Sequence, residues 1–490
     1  MAEKKTQNKN DTTEKIVSLS KRRGFVFQSS EIYGGLNGCY DYGPLGVELL
    51  KNIKEAWWKD MTYRENVEGL DASILMHPKV WEASGHIEHF SDPMVDCKHC
   101  KLRYRIDVLF EMLSQKGKEA IYKKAVESSL VGEPVNSMED AEGVFLGDPD
   151  IFLSEIICPG CGNKNTFTEA RSFNLMFKTH VGSIEDSSNA VYLRPETAQG
   201  IYVNFNNVKE SSRQKLPFGI AQIGKAFRNE INTKNFLFRV REFEQMEMQF
   251  FINPKDDEKW FEYWRDQRIQ WFVKYGMKEN KLKLHLHEKL AHYAKAAVDI
   301  EYEFPFGWGE IEGIHNRTDF DLKRHMEYSG KKLEYFDDQL KERFIPYVIE
   351  TSAGATRSFF AFLCNAYDEE EVAKENSDST STSETRTILR FPIEFAPIKA
   401  AVFPLVNRDG MQDIARNITD DLRKSMKVFY DDSGAVGRRY RRQDECGTPF
   451  CITVDSETLS NNTVTIRNRD TMKQERISKD RISDFIKNKL

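Results

Sequence analysis

The sequence lacks the features that mark membrane and secreted proteins. Its 490 residues contain no run of about eighteen apolar residues, the length that a membrane-spanning helix needs. The first stretch, MAEKKTQNKNDTTEK, is polar and has no apolar signal core, so we expect neither a membrane segment nor secretion and predict a cytoplasmic protein. Eight cysteines are too few for a disulfide scaffold in so long a chain. No internal repeat is visible.

The composition is typical of a globular protein of two or three domains. Hydrophobic residues make up 40% of the chain, enough for one large core and a smaller one. The formal net charge of −6 argues against a protein coated in nucleic acid. Positive charge is nevertheless concentrated near the C-terminus, in GRRYRRQDE at 437–445 and RNRDTMKQERISKDR at 467–481, which allows a local basic footprint.

Changes in composition divide the chain into blocks. Residues 1–14 are polar and predict a disordered tail. Over residues 15–385, strand-like segments with hairpin-like spacing predict an α+β domain in which helices flank an antiparallel sheet. The stretch at 93–165 predicts an insertion in that domain, and the acidic, Ser/Thr-rich stretch at 368–387 predicts a flexible segment. Strands and helices alternate over 398–490 and predict a small α/β domain.

Four of the cysteines form two C-x-x-C pairs. Cys97 and Cys100 stand in CKHC, and Cys158 and Cys161 stand in CPGC. Four thiolates on two turns are the ligand set of a tetrahedral zinc site, and they indicate a structural ion because they leave no coordination position open. Redox-active pairs and unpaired core thiols remain alternatives, since the two pairs are further apart than in most zinc ribbons.

The stretch KAFRNEINTKNFLFRVREFEQMEMQFF at 225–251 alternates like a β-hairpin but places charges where one face should be apolar. Reading by twos, one face of its second strand carries Arg239, Arg241, Phe243, Gln245, Glu247 and Gln249. A solvated face with cross-strand ion pairs is one explanation. The other is a sheet surface that binds an anion and an ammonium group.

Three further segments carry charged residues that suit a ligand site. Arg194 and Glu196 flank a proline in VYLRPETAQG, which fits a strand end at a cleft, although a simple ion pair explains them equally well. Glu310 and Glu312 in FGWGEIEGI are predicted to share one strand face, where carboxylates can hold Mg²⁺ on substrate phosphates. Arg357 begins a predicted helix, where its charge opposes the helix dipole unless an anion lies nearby.

These segments resemble those of the homodimeric glycyl-tRNA synthetases, a family of class II aminoacyl-tRNA synthetases. FRNE with FRVREFEQMEMQFF is similar to motif 2 of that class, YVIETSAGATR to motif 3, and HPKVWEASGH to the end of motif 1. YDYGPLG, RPETAQG, FPFGWGEIEGI and RYRRQDECGTPFCITVD resemble segments of the glycyl family itself. Motif 2 alone indicates the class, whereas RPETAQG with GWGE indicates the glycyl family. The resemblance covers nearly all of the chain after about residue 15.

The resemblance implies a fold, a reaction and its partners. The fold is an α+β class II antiparallel sheet flanked by helices, with an inserted zinc-knuckle region and a C-terminal α/β anticodon-binding domain. The reaction uses ATP to form a glycyl-adenylate and then attaches glycine to its cognate tRNA for protein synthesis. The partners are glycine, ATP, the glycine tRNA, whose phosphates the RRYRR run is expected to meet, and a second copy in a homodimer. Mg²⁺ is expected at Glu310 and structural Zn²⁺ at the four cysteines.

The resemblance also implies roles for individual residues. Arg228 and Arg357 are the expected catalytic residues, with Arg228 on the α-phosphate of ATP and Arg239 and Arg357 on the outer phosphates. Phe243 is expected to stack on adenine, and Glu230 to accept a hydrogen bond from its amino group. The full ATP-binding set is Arg228, Asn229, Glu230, Phe238, Arg239, Val240, Arg241, Glu242, Phe243, Glu310, Ile311, Gly354, Ala355, Thr356 and Arg357.

A second set of residues is expected to bind glycine. Glu196, Glu247 and Ser352 are the members expected to hold its ammonium group. The full set is Arg105, Glu196, Phe243, Glu244, Gln245, Met246, Glu247, Glu350, Thr351, Ser352, Ala353 and Gly354.

The chain departs from the family pattern at two places. It has RIDV at 105–108 where members usually have RADH, which affects the contact expected of Arg105, and Thr356 where an acidic residue usually precedes Arg357. Another class II synthetase would lack RPETAQG and need a roomier amino-acid pocket. A synthetase-like binding protein would be expected to lose Arg228 or Arg357. A non-enzymatic zinc and nucleic-acid binder gives no reason for both arginines and the glutamates.

Overall fold

A computed structural model of the chain describes residues 2–128, 135–183, 185–288, 290, 294–339, 341–374 and 382–489. Its α-helices are α1 (Ala2–Arg23), α2 (Pro44–Thr62), α3 (Pro78–Ala83), α4 (His86–His89), α5 (Ile106–Glu111), α6 (Gln115–Ser128), α7 (Met138–Gly147), α8 (Ala198–Val203), α9 (Phe205–Ser211), α10 (Asp257–Lys274), α11 (Phe320–Ser329), α12 (Ala355–Ala366), α13 (Met411–Arg423), α14 (Val436–Cys446), α15 (Ser456–Asn461) and α16 (Ile482–Lys487). Among these described helices, none is both long and apolar enough to cross a lipid bilayer.

The strands alternate with these helices along the chain. They are β1 (Val26–Gln28), β2 (Tyr40–Tyr42), β3 (Val67–Gly69), β4 (Ser91–Asp96), β5 (Arg103–Arg105), β6 (Arg171–Asn174), β7 (Lys178–His180), β8 (Ala190–Tyr192), β9 (Phe218–Phe227), β10 (Glu242–Ile252), β11 (Leu282–Leu286), β12 (Ala296–Phe304), β13 (Gly307–Thr318), β14 (Tyr335–Asp337), β15 (Glu342–Phe344), β16 (Tyr347–Gly354), β17 (Tyr367–Lys374), β18 (Thr382–Leu389), β19 (Ala400–Pro404), β20 (Val428–Tyr430), β21 (Phe450–Val454), β22 (Thr463–Asn468) and β23 (Gln474–Ser478). The chain forms two compact units, a main unit of Met1–Met76 and Leu193–Leu490 and an inserted unit of His77–Tyr192.

The largest sheet of the main unit has seven strands in the order β11-β12-β13-β16-β10-β9-β3. Neighbouring strands are antiparallel except β3 and β9, which run parallel. The segments that alternate in the sequence at 217–227, 239–251, 299–314 and 343–354 supply β9, β10, β12, β13 and β16. The predicted antiparallel sheet is confirmed.

Both faces of this sheet are covered, and alternation along β10 divides its side chains between them. Met246 and Phe250 point to an apolar face and are buried in the core formed with α2, α10 and α12. Glu247 and Gln249 point to the opposite, polar face and are buried as well. Because buried polar groups are costly without partners, each polar side chain on the second face needs one inside the protein.

A β-bulge in β13 separates two glutamates that the sequence pattern predicts to share one face. Consecutive residues of β12 pair with Glu312 and Glu310, so Ile311 is an extra residue in β13. Ile311 is buried in the apolar core, and Glu312 is buried beside Arg268 of α10. Glu310 instead contacts Arg357 on the polar face. The prediction of a shared face is wrong because the bulge shifts the alternation by one residue.

A disordered tail is predicted over residues 1–14, but the described part of it, from Ala2 onward, is helical. It forms most of α1, which continues to Arg23. Lysine, glutamate and glutamine favour helix, and the later turns of α1 are held in the core by the buried Ile16 and Leu19. The polar composition of the tail predicts disorder, but the tail continues into a helix whose apolar residues are anchored in the core.

Much of the segment predicted to be flexible at 368–387 is a β-ribbon. β17 and β18 pair antiparallel, and residues 375–381 lie outside the described residues. Arg386 of β18 is fully buried between two carboxylates. Its Nε donates to Asp444 Oδ2 of α14 at 2.7 Å, and its Nη1 donates to Glu370 of β17. These ion pairs neutralise part of the acidic run. The segment is therefore more ordered in the described strands than its acidic composition predicts.

The inserted unit has a sheet and a core of its own. Strands β5, β4 and β6 form a three-stranded antiparallel sheet. Helices α5, α6 and α7 contribute the buried Phe110, Ile121 and Phe145. The sequence predicts an insertion over 93–165, whereas this unit spans His77–Tyr192, because β4 pairs with β6 beyond the predicted boundary.

The C-terminal region of the main unit contains a five-stranded sheet in the order β20-β19-β21-β22-β23. Its first three strands are parallel, and β22 and β23 are antiparallel additions. Helix α13 contributes Met411, Ala415 and Ile418 to the core beneath this sheet. The α/β class predicted for this region is confirmed.

The ion pair behind the bulge provides a test of how the sheet is stabilised. Arg268 Nε donates to Glu312 Oε1 at 2.6 Å, and both side chains are fully buried. Burial raises the pKa of Glu312, although the charge of Arg268 opposes the shift. Arg268→Met should leave this carboxylate unpaired and lower the free energy of unfolding by about 3–5 kcal/mol.

The double variant Arg268→Met/Glu312→Leu should recover most of that loss, because it removes both charges and roughly conserves the buried volume. Denaturant midpoints followed by circular dichroism would compare the two variants with the wild type. A double variant no more stable than Arg268→Met would show that the unpaired charge is not the source of the loss.

Candidate active site

A cavity opens on the polar face of the sheet. The loop between β9 and β10, the end of β16 and the first turn of α12 meet there. Its walls consist of Arg228, Glu230, Leu237, Phe238, Arg239, Val240, Phe243, Gln245, Glu310, Ser352, Gly354, Thr356 and Arg357. The structure therefore brings together the three segments at 225–251, 306–314 and 346–357.

Two arginines from different motifs line this cavity. Arg228 follows β9, donates from Nε to a backbone carbonyl at 3.1 Å and places its guanidinium 5.3 Å from the centre of the Phe243 ring. Arg357 lies in the first turn of α12 and donates from Nε to the Phe238 carbonyl at 3.0 Å. Its Nη1 donates to Glu310 at 2.9 Å. Both arginines are thus anchored through Nε beside one space, as an anion site requires.

Glu310 places a carboxylate next to these arginines. Burial would raise its pKa, but the charges of Arg357 and Arg228 outweigh burial and lower the pKa. The carboxylate is therefore ionised at neutral pH. Mg²⁺ commonly binds one or two carboxylates together with substrate phosphates, so a single carboxylate beside an anion site, such as Glu310, fits that ion.

The other residues predicted to bind ATP fall into two groups. Those that line the cavity are Glu230, Phe238, Arg239, Val240, Phe243, Gly354 and Thr356. Those outside its wall are Asn229, Arg241, Glu242, Ile311 and Ala355. Arg241 donates from Nε to the Glu230 carbonyl at 2.9 Å, and Glu242 pairs with Lys225. Ile311 and Ala355 are buried in the apolar core, so their side chains face away from the cavity.

Gln245 and Ser352 connect the cavity with the buried part of the polar face. Gln245 Nε2 donates to Ser352 Oγ at 3.3 Å, between β10 and β16. Gln245 is only 8% exposed, and among the described residues its Oε1 has no hydrogen-bond partner. Because a buried acceptor without a partner is costly, this oxygen marks a place where a ligand can donate a hydrogen bond.

A cluster of carboxylates lies on the same face, formed by Glu196, Glu247 and Glu350. Glu247 stands opposite Ser352 in the pairing of β10 with β16. Gln249 Nε2 donates to Glu247 Oε1 and to Glu350 Oε2, in each case at 2.8 Å, and the Thr197 hydroxyl also donates to Glu247. The charges of all three glutamates affect one another.

Cations on β13 balance part of this negative charge. Arg317 Nη1 donates to Glu350 at 3.2 Å, and His315 Nδ1 lies 2.8 Å from the same carboxylate. Burial alone would raise the pKa of Glu350, but Arg317 and His315 lower it to about 2. For Glu247, burial and the charges of Glu350 and Glu196 raise the pKa well above its usual value. A positive ligand would relieve this repulsion, so the cluster suits an ammonium group.

The residues that support this cluster are not predicted from the sequence. His315 and Arg317 have no assigned role there, and Gln249 appears only as one position on a charged face. Extending the period of two from Gly313 would have placed His315 and Arg317 on the polar face of β13. Their partner Glu350 lies on a strand that only the fold brings alongside.

The other residues predicted to bind glycine occupy different environments. Those that line the cavity are Phe243, Gln245, Ser352 and Gly354. The side chains that alternate toward the opposite face of the sheet are those of Glu244, Met246, Thr351 and Ala353. Glu244 pairs there with Lys54 of α2. Arg105 belongs to the inserted unit, where it pairs with Asp92 and Asp107.

The four cysteines of the inserted unit lie together. Their Sγ atoms are all within 4.8 Å of one another, and the pairs Cys97–Cys161 and Cys100–Cys158 are each separated by 3.7 Å. A tetrahedron of Zn–S bonds of about 2.3 Å has edges of about 3.8 Å. The spacing of the four Sγ atoms therefore fits a zinc ion.

The basic run RRYRR lies on α14, and two of its arginines are used inside the domain. Arg439 is 3% exposed and donates to the backbone carbonyls of Asp432, Gly434 and, at the end of β19, Pro404. Arg442 pairs with Asp431 at 2.6 Å. The expectation of phosphate contacts does not hold for Arg439, because it is buried and its guanidinium group already has partners. Arg438 is exposed, and Arg441 and Arg442 are half-buried, so these three members of the run remain accessible.

The chain matches two family models that agree with this arrangement. The tRNA synthetase class II core domain (G, H, P, S and T) matches residues 177–366, and the anticodon binding domain matches residues 399–489. The chain is 54% identical to the glycine--tRNA ligase of Treponema denticola, over 97% of each protein. It is 52% identical to that of Borreliella burgdorferi, over 97% of each protein, and to that of Chlorobaculum tepidum, over 97% of this chain and 99% of the relative. The chain therefore belongs to the glycine--tRNA ligase family of class II aminoacyl-tRNA synthetases.

Proposed function

We propose that the protein activates glycine with ATP and transfers the glycyl group to its cognate tRNA, in the cytoplasm where translation uses the product. One observation carries this proposal: the polar face of the sheet holds arginines and a cluster of carboxyl groups side by side. Arg228 and Arg357 line the cavity, and Glu247 lies on the same face next to Gln245 and Ser352. Arginines suit a triphosphate and carboxylates suit an amino group, so the site is complementary to both small substrates.

In the activation step, the carboxylate of glycine would attack the α-phosphorus of ATP, and pyrophosphate would leave. Arg228 would hold the α-phosphate, and Arg239 and Arg357 the outer phosphates, so that guanidinium groups face the oxygens on which charge develops. No protein nucleophile is required, since these residues act by positioning and charge stabilisation. Glu310 would hold Mg²⁺, which when bound supplies further positive charge to the phosphate oxygens.

The nucleobase would lie beside the phosphate site. Phe243 would stack on adenine, and Glu230 would accept a hydrogen bond from its amino group. Both residues line the cavity, and the Phe243 ring centre is 5.3 Å from the Arg228 guanidinium. This spacing supports neighbouring sites for the base and the α-phosphate, as one nucleotide requires.

The ammonium group of glycine would bind to Glu196, Glu247 and Ser352, with Gln245 Oε1 as a further acceptor. Because glycine is the smallest amino acid, a larger competitor must be excluded rather than bound less well. We propose that these side chains crowd the α-carbon, so that a β-methyl group would clash or displace a carboxylate from the ammonium.

The remaining roles follow from the two matched domains and the sequence resemblance. Residues 399–489 would bind the anticodon of the tRNA, and the protein would act as a homodimer. Zinc on the four cysteines would be structural, because a full set of thiolates leaves no position for a substrate.

The proposed activation predicts exchange of pyrophosphate into ATP that depends on glycine and is not supported by alanine, serine or proline. Arg228→Ala should slow this exchange by at least about 100-fold with the fold intact, because its charge serves the transition state. Arg213→Ala, at an exposed arginine after α9, is the matched control and should keep full activity. Near-normal exchange by Arg228→Ala would remove the role proposed for it.

The proposed zinc site predicts about one zinc ion per chain in elemental analysis. Cys158→Ser should release that zinc and make the inserted unit the first part of the chain to be cleaved in limited proteolysis, since a structural ion contributes its binding energy to local folding. Cys39→Ser, outside the cluster, should keep the metal. Wild-type protein purified without chelators and found to contain no zinc would contradict the proposal.

The proposed pocket predicts different effects for two neighbouring substitutions. Ser352→Gly should raise kcat/KM for alanine by about tenfold, because it opens enough space for a methyl group. Its effect on kcat/KM for glycine should be a decrease of less than about tenfold. Glu247→Gln should lower kcat/KM for glycine by about tenfold or more, since it removes the charge and turns an amide toward the Gln249 donor. Equal losses for both amino acids in Ser352→Gly would place the steric exclusion elsewhere.

A further inference from the structure

Gln199 lies at the centre of a buried hydrogen-bond network behind the carboxylate cluster. It is the second residue of α8 and is fully buried. Its Nε2 donates to Glu196 Oε1 at 2.9 Å and to Asp321 Oδ1 of α11 at 3.1 Å. One amide group thus joins two carboxylates from different parts of the chain.

The orientation of this amide is set by His325. Gln199 Oε1 lies 2.8 Å from His325 Nε2, on the next turn of α11 from Asp321. A flipped amide would point its oxygen at two carboxylates, so the observed orientation is the one that pairs donors with acceptors. It follows that His325 Nε2 carries a proton and donates it. Burial lowers the pKa of His325, so the ring is neutral and adds no positive charge to the network.

The network continues from Asp321 to the other side of the cluster. Arg317 donates to Asp321 through Nε at 2.8 Å and through Nη2 at 3.0 Å, and its Nη1 donates to Glu350. Glu196 and Glu350 are therefore connected through Gln199, Asp321 and Arg317. This connection spans α8, α11, β13 and β16, so it relates the positions of carboxylates that are distant in sequence.

We infer that Gln199 and His325 are positioning residues for amino-acid binding: Gln199 holds the Glu196 carboxylate toward the ammonium site, and His325 holds Gln199. This inference rests on the proposed function. Glu196 follows β8 outside any helix or strand and is half-buried, so its side chain depends on hydrogen bonds for a fixed conformation. A carboxylate that is already oriented loses less conformational freedom when it binds the ammonium group.

Gln199→Met tests the first step, because it keeps the length of the side chain and removes its hydrogen bonds. We expect the KM for glycine in pyrophosphate exchange to rise about tenfold, with the KM for ATP within about twofold of the wild type. Gln214→Met is the matched control, since Gln214 also donates to a carboxylate, Glu68, but away from the cluster. It should leave both KM values unchanged.

Two substitutions at His325 test whether His325 holds Gln199 in place. They also provide an independent test of the inference if Gln199→Met does not fold. His325→Leu removes the donor and should raise the KM for glycine, whereas His325→Gln can donate from its amide near the position of Nε2 and should restore a value close to the wild type. A merely structural role would instead change the KM for ATP and the thermal midpoint together with that for glycine, and His325→Gln would not rescue them.

The outcomes separate the inference from the function on which it rests. Wild-type protein that shows no glycine-dependent exchange would overturn the proposed function, and the inference with it. Normal exchange by the wild type, with unchanged KM for glycine in both Gln199→Met and His325→Leu, would overturn the inference alone. Parallel changes in the KM for glycine and for ATP would also overturn it.

Discussion

Burial of charge on one face of the seven-stranded sheet is the constraint on which the rest of the structure depends. Glu247 and Glu350 are 2% and 4% exposed, and unpaired carboxylates at such depth are strongly destabilising. They are tolerated because Gln249, Arg317 and His315 supply hydrogen bonds and positive charge. A slip of one residue between strands would turn this polar set into the apolar core, so the same contacts fix the register.

On the polar face, the positive and the negative side chains occupy separate places, as the proposed reaction between ATP and an amino acid requires. Arginines lie in the cavity where β16 meets α12, and the carboxylates lie beyond Gln245 and Ser352. The ammonium and the carboxylate of an amino acid are both bonded to its α-carbon. The electric field between the arginines and the glutamates would therefore orient the amino acid with its carboxylate toward ATP. The bulge at Ile311 contributes by turning Glu310 toward the arginines and Glu312 into the core.

Local patterns were sufficient to predict most strands of the seven-stranded sheet and the pairing of the cysteines, whereas most of the cavity wall was predicted through the family resemblance. The alternation in 239–251 predicts the polar face of β10, and the charge of Arg357 at a helix start predicts an anion nearby. Contacts between distant segments were not predictable in this way. The bulge at Ile311 depends on pairing with β12, and the role of Gln199 depends on α11. The sequence alone suggests that Arg439 is a surface cation, yet it is buried and donates to the backbone carbonyls of Gly434 and Pro404, which the fold brings together.

One face of the sheet is proposed to bind a phosphate group and an ammonium group in adjacent positions. A crystal structure with a non-hydrolysable glycyl-adenylate analogue tests this claim most directly. The phosphate mimic should lie against Arg228, with the ammonium against Glu196, Glu247 and Ser352. An analogue bound with its ammonium outside the carboxylate cluster, or with its phosphate mimic away from Arg228, would contradict the claim.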